Sequence, residues 1–130
     1  MTWNTTDKTG AAVMIRREDT SPIGSYVVGL GDGPPVGRAE FVDPPGTDGE
    51  RIFFHTEVDE EFGGRGLAGL LVREALADSI RRNLTVVPVC PLFARHLRRH
   101  GDEFVADGGA FRRPTRDDLA LVAGAARGGA

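Results

Sequence analysis

Cysteine, lysine, tryptophan and tyrosine are nearly absent from this 130-residue sequence. The single cysteine, Cys90, excludes an internal disulfide framework and a multi-cysteine zinc site. Lys8 is the only lysine, so the other 15 of the 16 basic residues are arginine. A charge excess of either sign is missing as well. The 16 basic and 19 acidic residues leave a formal net charge of −3, which offers no global attraction to nucleic acid or to an anionic membrane. Long apolar runs are also missing. None approaches the roughly 18 residues needed to span a bilayer. The apolar run nearest the start, Ala11–Ile15, is too short for a signal-peptide core. These absences predict a cytoplasmic protein with no membrane partner.

What remains is an ordinary globular composition, 40% hydrophobic and 27% charged. The length predicts one domain over residues 11–127, preceded by a flexible, aperiodic N-terminal arm at 1–10. Strands are expected over Ala11–Arg17, Ser25–Leu30, Val36–Val42 and Arg51–Val58, from alternation and β-branched content. Gly- and Pro-rich turns separate them at 31–35 and 43–49. In the fourth strand, strict alternation sets Ile52, Phe54, Thr56 and Val58 against Phe53, His55 and Glu57. A helix over about Gly64–Arg82 follows. Ala68, Leu71, Val72, Ala75, Leu76, Ser79 and Ile80 form its apolar stripe, and Arg73, Glu74, Asp78, Arg81 and Arg82 its polar side. Leu84–Val89 reads as a strand buried on both faces. Pro91 opens a second helix that Gly101 stops near His100. Asp102–Arg113 reads as a connection. Thr115 caps a last helix with Asp117 and Asp118 in its first turn, and residues 127–130 fray. The order is β-β-β-β-α-β-α with an extra C-terminal helix. This is an α+β fold with a mixed sheet, whose last two strands are parallel across a right-handed crossover.

Several groups suggest chemistry. Gly63, Gly64 and Gly66 lie where a strand delivers the chain into a helix. Glycine there permits positive φ and lets an anion approach bare N–H groups, which points to a phosphate or pyrophosphate site that Arg65 can supplement. A tight structural turn explains the same glycines equally well. Cys90 precedes Pro91 at a helix N-terminus, where a thiolate is favoured; it also suits a small buried hydrophobe. His55 and Glu57 share a strand face as proton acceptors, or as an ordinary polar surface. His96 and His100 have metal-ligand spacing but no evident third ligand, so no metal site is expected. Arg95, Arg98 and Arg99 form a basic patch suited to ligand phosphates or to solvent. It has no interleaved aromatics for nucleic acid.

The stretch Phe54–His100 resembles the GCN5-related (GNAT) acetyltransferase superfamily, and within it the small single-domain YjdJ-like proteins. The motifs are His55-Thr56-Glu57-Val58, Gly63-Gly64-Arg65-Gly66-Leu67-Ala68 and Val86-Val87-Pro88-Val89-Cys90-Pro91. Gly66 and Ala68 fill the last two fixed positions of the superfamily signature, R/Q-x-x-G-x-G/A. Gly63 stands where Arg or Gln is usual. The resemblance implies a compact GNAT-like fold that binds acetyl-CoA, with the pyrophosphate on Gly63–Ala68 and the pantetheine beside Val58. Cys90 is then the catalytic residue, with His55 or Glu57 as base, and Arg95 lies within reach of the cofactor. The implied reaction is acetyl transfer to a primary amine of a protein or small molecule. The implied partners are acetyl-CoA, an amine acceptor and a second copy in a homodimer. The Gly63 departure and the lack of N-terminal acceptor-gripping helices suggest an alternative, a non-catalytic acyl-CoA-binding or sensing module. A redox-sensing thiol is a third reading, and it requires an accessible Cys90.

Overall fold

The computed structural model describes residues 2–31, 33–46 and 49–128. Asp32, Thr47 and Asp48 of the two expected turns, and Gly129 and Ala130 of the expected frayed tail, lie outside the described residues. The strands are β1 (Thr2–Thr6), β2 (Ala12–Glu18), β3 (Gly24–Leu30), β4 (Pro35–Val42), β5 (Glu50–Val58), β6 (Thr85–Pro88) and β7 (Ala110–Phe111). The helices are α1 (Leu67–Arg81), α2 (Pro91–Ala106) and α3 (Arg116–Gly128). All strands lie in one sheet in sequence order. β1 to β5 form an antiparallel meander, and β6 and β7 add parallel to β5. The mixed α+β sheet expected from the sequence is present, with two additional strands.

The first addition corrects the reading of residues 1–10 as a loose arm. Thr2–Thr6 pairs along its length with β2. Its threonines suit a strand, and Trp3 fastens it to the core. The Trp3 ring packs edge-on to Tyr26 at 6.3 Å, and its Nε1 donates to Glu74 at 2.9 Å. The second addition is β7, where a connection was expected. Phe111 of β7 also changes the reading of Gly101. That residue does not end α2; the helix kinks at His100 (φ −128°) and runs on to Ala106. Gly101 is buried because the Phe111 ring lies against it, and a Cβ there would come within 2.9 Å of the ring.

The core lies between the sheet and the pair α1 and α2. Tyr26, Phe41 and Phe53 from the sheet meet Leu71 and Ala75 of α1 and Phe93 of α2. Phe53 and Phe93 stack at 4.3 Å. α1 starts at Leu67, three residues later than expected, because Gly64 (φ +83°) and Gly66 (φ +75°) take the left-handed conformation. Its polar side is not all solvent-facing. Asp78 is 1% exposed. It accepts from Tyr26 Oη at 2.6 Å and Arg17 Nη1 at 2.8 Å. Burial raises its pKa, but these hydrogen bonds outweigh burial and hold it below the usual carboxylate range. Arg51 continues the network, donating to Tyr26 Oη at 3.1 Å and to both Asp43 oxygens at 2.8 and 2.9 Å. The polar chain therefore fixes α1 to β2, β3 and β5.

At the other end, α3 packs near β5 on the face that carries the buried Ile52 and Val87. Thr115 caps it as expected. Thr115 Oγ1 accepts from Asp118 N at 3.3 Å, and Asp118 Oδ2 accepts in return from Thr115 N at 2.7 Å. Arg112 bridges Asp118 and Glu50. Its hydrogen bonds lower the Asp118 pKa to about 2, although burial opposes them.

Candidate functional site

Strand β5 breaks the alternation expected of it. Phe41 pairs with Phe53 and Glu40 pairs with His55, so Phe54 is an extra residue with no partner on β4. The bulge resets the faces. Phe53, Thr56 and Val58 point toward the core, while His55 and Glu57 point away from it. Phe53 thus leaves the face it was expected to share with His55 and Glu57.

At the bulge, β5 and β6 part. Their last pair is Phe53 with Pro88. The Phe53 carbonyl then accepts from both Val89 N at 3.0 Å and Cys90 N at 2.8 Å, and Pro91 turns the chain into α2. From His55 to Val58, β5 runs on with β4 as its sheet partner. The result is an opening between the two strands, with Cys90 where they part.

Cys90 is the N-cap of α2, as expected, and is 3% exposed. Its Sγ lies 3.4 Å from Thr56 Oγ1, close enough for a hydrogen bond in either direction. Such burial disfavours the redox-sensing reading, which needs an accessible thiol. His55 and Glu57 do not meet Cys90. They lie on the opposite face of β5, with Nε2 and Oε2 3.5 Å apart and side chains 50% and 60% exposed. Arg38 Nε stands 3.7 Å from Glu57 Oε1. Thr56 is the residue that sequence reasoning missed. Its signal was present, since it sits between His55 and Glu57 in the same motif.

After β5, a 3-10 turn (Glu60–Phe62) and extended Gly63 lead to Gly64, Arg65 and Gly66. A Cβ on Gly64 would meet nothing within 4 Å, so the turn presents bare backbone to open space. Gly66 caps α1 without a side-chain hydrogen bond, and no acidic residue lies in the first turn. The leading N–H groups of α1 are therefore uncapped by side chains, with the positive end of the helix dipole behind them. Leu67 is buried beneath the turn. Ala68 continues onto a groove of about 180 Å³ between α1 and α2, which Arg95, His96, Arg99 and His100 line from α2. Burial, then the neighbouring His100 and Arg73 charges, lowers the His96 pKa. Its ring lies 5.0 Å from that of His100. Among the described residues, no group of three His, Cys, Asp or Glu side chains could hold a metal ion.

The structure thus joins Cys90 with Thr56, and Ala68 at the end of the turn with Arg95 along one groove. A model of the GCN5-related N-acetyl-transferase family matches residues 25–107, from β3 through α2. The chain belongs to the GCN5-related N-acetyltransferase family. The matched span contains the opening, the glycine turn and Cys90, and acyl transfer is the family's general chemistry. Solved structures with this fold include the cAMP-binding acyltransferase from Mycobacterium smegmatis. That acyltransferase is 13% identical, with a TM-score of 0.55 over 79% of the present chain and 42% of that one. A substituted form of the same acyltransferase matches at 13% identity and a TM-score of 0.56, over 78% and 42% of the two chains. The present chain therefore spans less than half the length of that enzyme. No curated protein matches the sequence. Among the described residues, no helix is long and apolar enough to cross a membrane.

Proposed function

We propose that this protein transfers an acetyl group from acetyl-CoA to a primary amine. One observation supports the reading: the family-matched span holds both an uncapped, glycine-lined helix N-terminus and, where β5 and β6 stop pairing, Cys90. Acetyl-CoA supplies an activated thioester when bound. The N–H groups around Gly64–Ala68 meet its pyrophosphate, and the unpaired edge of β5 near Val58 meets its amide arm. Arg95 stands along the same groove.

The two faces of β5 divide the remaining work. His55 and Glu57 lie on the solvent side, where, relayed through water, they accept the proton that the neutral attacking amine loses as the amide forms. On the inner side, Cys90 donates its thiol proton to the departing sulfur and recovers a proton from solvent, while Thr56 holds the Cys90 sulfur in place. General acid–base help of this kind contributes about 10²–10⁴-fold.

The test has two parts. A thermal-shift titration with acetyl-CoA and CoA, with ATP as control, should show a saturable rise of roughly 10 °C for about 2.7 kcal/mol of linkage at 100 times Kd. Acetyl transfer to a panel of amines and polyamines is then followed by mass. A labile acetyl adduct on Cys90 with acetyl-CoA alone would replace direct transfer by a covalent route. Binding without transfer to any amine would leave a non-catalytic acyl-CoA-sensing module in its place. No shift up to millimolar ligand would contradict the donor site.

A further inference from the structure

Gly63 leaves the glycine turn without the Arg or Gln side chain that the signature places there. Arg65 is the nearest sequence candidate to replace it, but its Nη1 lies 3.6 Å from Asp7 Oδ2, and its guanidinium lies over the Phe62 ring. Asp7 is 6% exposed, and its Oδ2 has no hydrogen-bond partner, so Arg65 is the countercharge for a buried carboxylate. Arg73 reaches Gly69, nearly a full helical turn further into α1.

Lys8 is placed differently. It belongs to the β1–β2 turn, which is built around Asp7: Oδ1 accepts from Thr9 N at 2.8 Å, Thr9 Oγ1 at 2.6 Å and Ala11 N at 3.1 Å. This turn docks on the glycine turn. Lys8 N donates to the Arg65 carbonyl at 3.2 Å. The Lys8 stem lies across Gly66, the N-cap of α1, with Cβ, Cγ and Cδ 3.3–3.5 Å from where a Gly66 Cβ would be. Among the described residues, the Lys8 ammonium makes no ion pair or side-chain hydrogen bond. An exposed cation is thus tethered at its backbone and its stem to the positive end of a helix that carries no side-chain cap.

We propose that Lys8 binds the pyrophosphate of the acyl-CoA donor, so that the β1–β2 turn supplies in space the side chain that Gly63 lacks in sequence. The proposal rests on the donor reading above. The ammonium, two bonds past Cδ, adds a charge-assisted contact to the backbone N–H donors. Lys8 is the only lysine of the chain, and the family match begins at residue 25, so this contribution comes from outside the matched span.

Calorimetric titration of the full chain with CoA and with dephospho-CoA tests the assignment. Both ligands keep the pyrophosphate, and only CoA carries the 3′-phosphate. Lys8→Met keeps most of the stem on Gly66 and removes the charge. It should weaken both ligands about tenfold, by a factor that shrinks with added salt, and leave the ligand-free melting temperature unchanged. Lys8→Arg should recover most of the affinity. Unchanged affinity in Lys8→Met would overturn the proposal. So would a loss confined to CoA, which would move the contact to the 3′-phosphate, or an equal loss in Lys8→Arg, which would make the role one of packing. Failure of the unsubstituted chain to bind either ligand would instead overturn the donor reading itself.

Discussion

At Ile52 and Phe53, β5 has strand partners on both sides; from His55 to Val58 its partner is β4. The first half is over-determined. Arg51 is gripped by Asp43 and Tyr26, and the Phe53 ring is stacked on Phe93. The second half has backbone to spare on one edge, a half-buried Thr56 facing Cys90, and exposed His55 and Glu57 on the other side. A single extra residue, Phe54, separates the two regimes. One half of the strand holds the molecule together, and the other has the edge that the proposed donor would complete. A sheet that paired β6 along all of β5 would be better hydrogen-bonded and would have no opening.

Substitutions sharpen this contrast, starting with the closed half. Asp78→Ala leaves Arg17 and Tyr26 without their buried acceptor. It should cost about 3–5 kcal/mol in urea unfolding, the expected penalty for breaking a buried charged pair. A loss under about 1 kcal/mol would mean that the network is not what fixes α1. In the open half, Cys90→Ser should lower kcat by about 10²-fold. Thr56→Val should lower it less, with KM for the donor unchanged in both. Equal turnover in Cys90→Ser would remove the thiol from the mechanism.

The acid response should come from the closed side. The folded-state pKa of Asp118, about 2, lies below its ordinary value of 3.8. Its stabilising contribution is therefore fully present above that ordinary value and is lost as pH falls toward 2. The urea midpoint should drop between about pH 4 and pH 2, and Asp118→Asn should flatten that drop. The smallest expected effect on stability is that of His55→Ala with Glu57→Ala. Both side chains are solvent-exposed, so unfolding should shift by no more than about 0.5 kcal/mol while the rate of transfer falls. A large stability loss there would erase the distinction between the halves.

Much of this was legible in the sequence because local patterns and tertiary demands agree. β2, β4 and α1 follow alternation and 3.6-residue periodicity, β6 follows its continuous apolar run, Pro91 marks the start of α2, and Thr115 with Asp118 marks α3. The failures occur where a distant group decides. Thr2–Thr6 is polar and aperiodic, and becomes a strand because Trp3 reaches Tyr26 and Glu74. Gly101 reads as a stop but is needed small for Phe111. Asp78 reads as surface, and its partners come from β2 and β3. The Phe54 bulge leaves no mark in composition, and one inserted residue was enough to reverse which face His55 and Glu57 share. The candidate site was read through three short motifs. Lys8 carries no motif, and only the docked turn brings it to Gly66.

Hydrogen–deuterium exchange of the full chain, with and without acetyl-CoA, tests most directly whether the open half of β5 and the start of α1 form one donor site. The account predicts slowed exchange in two separate stretches at once, His55–Val58 and Gly64–Leu70, with Ile52 and Phe53 already slow and unchanged. Protection of neither stretch at saturating ligand, or of the α3 side alone, would contradict it.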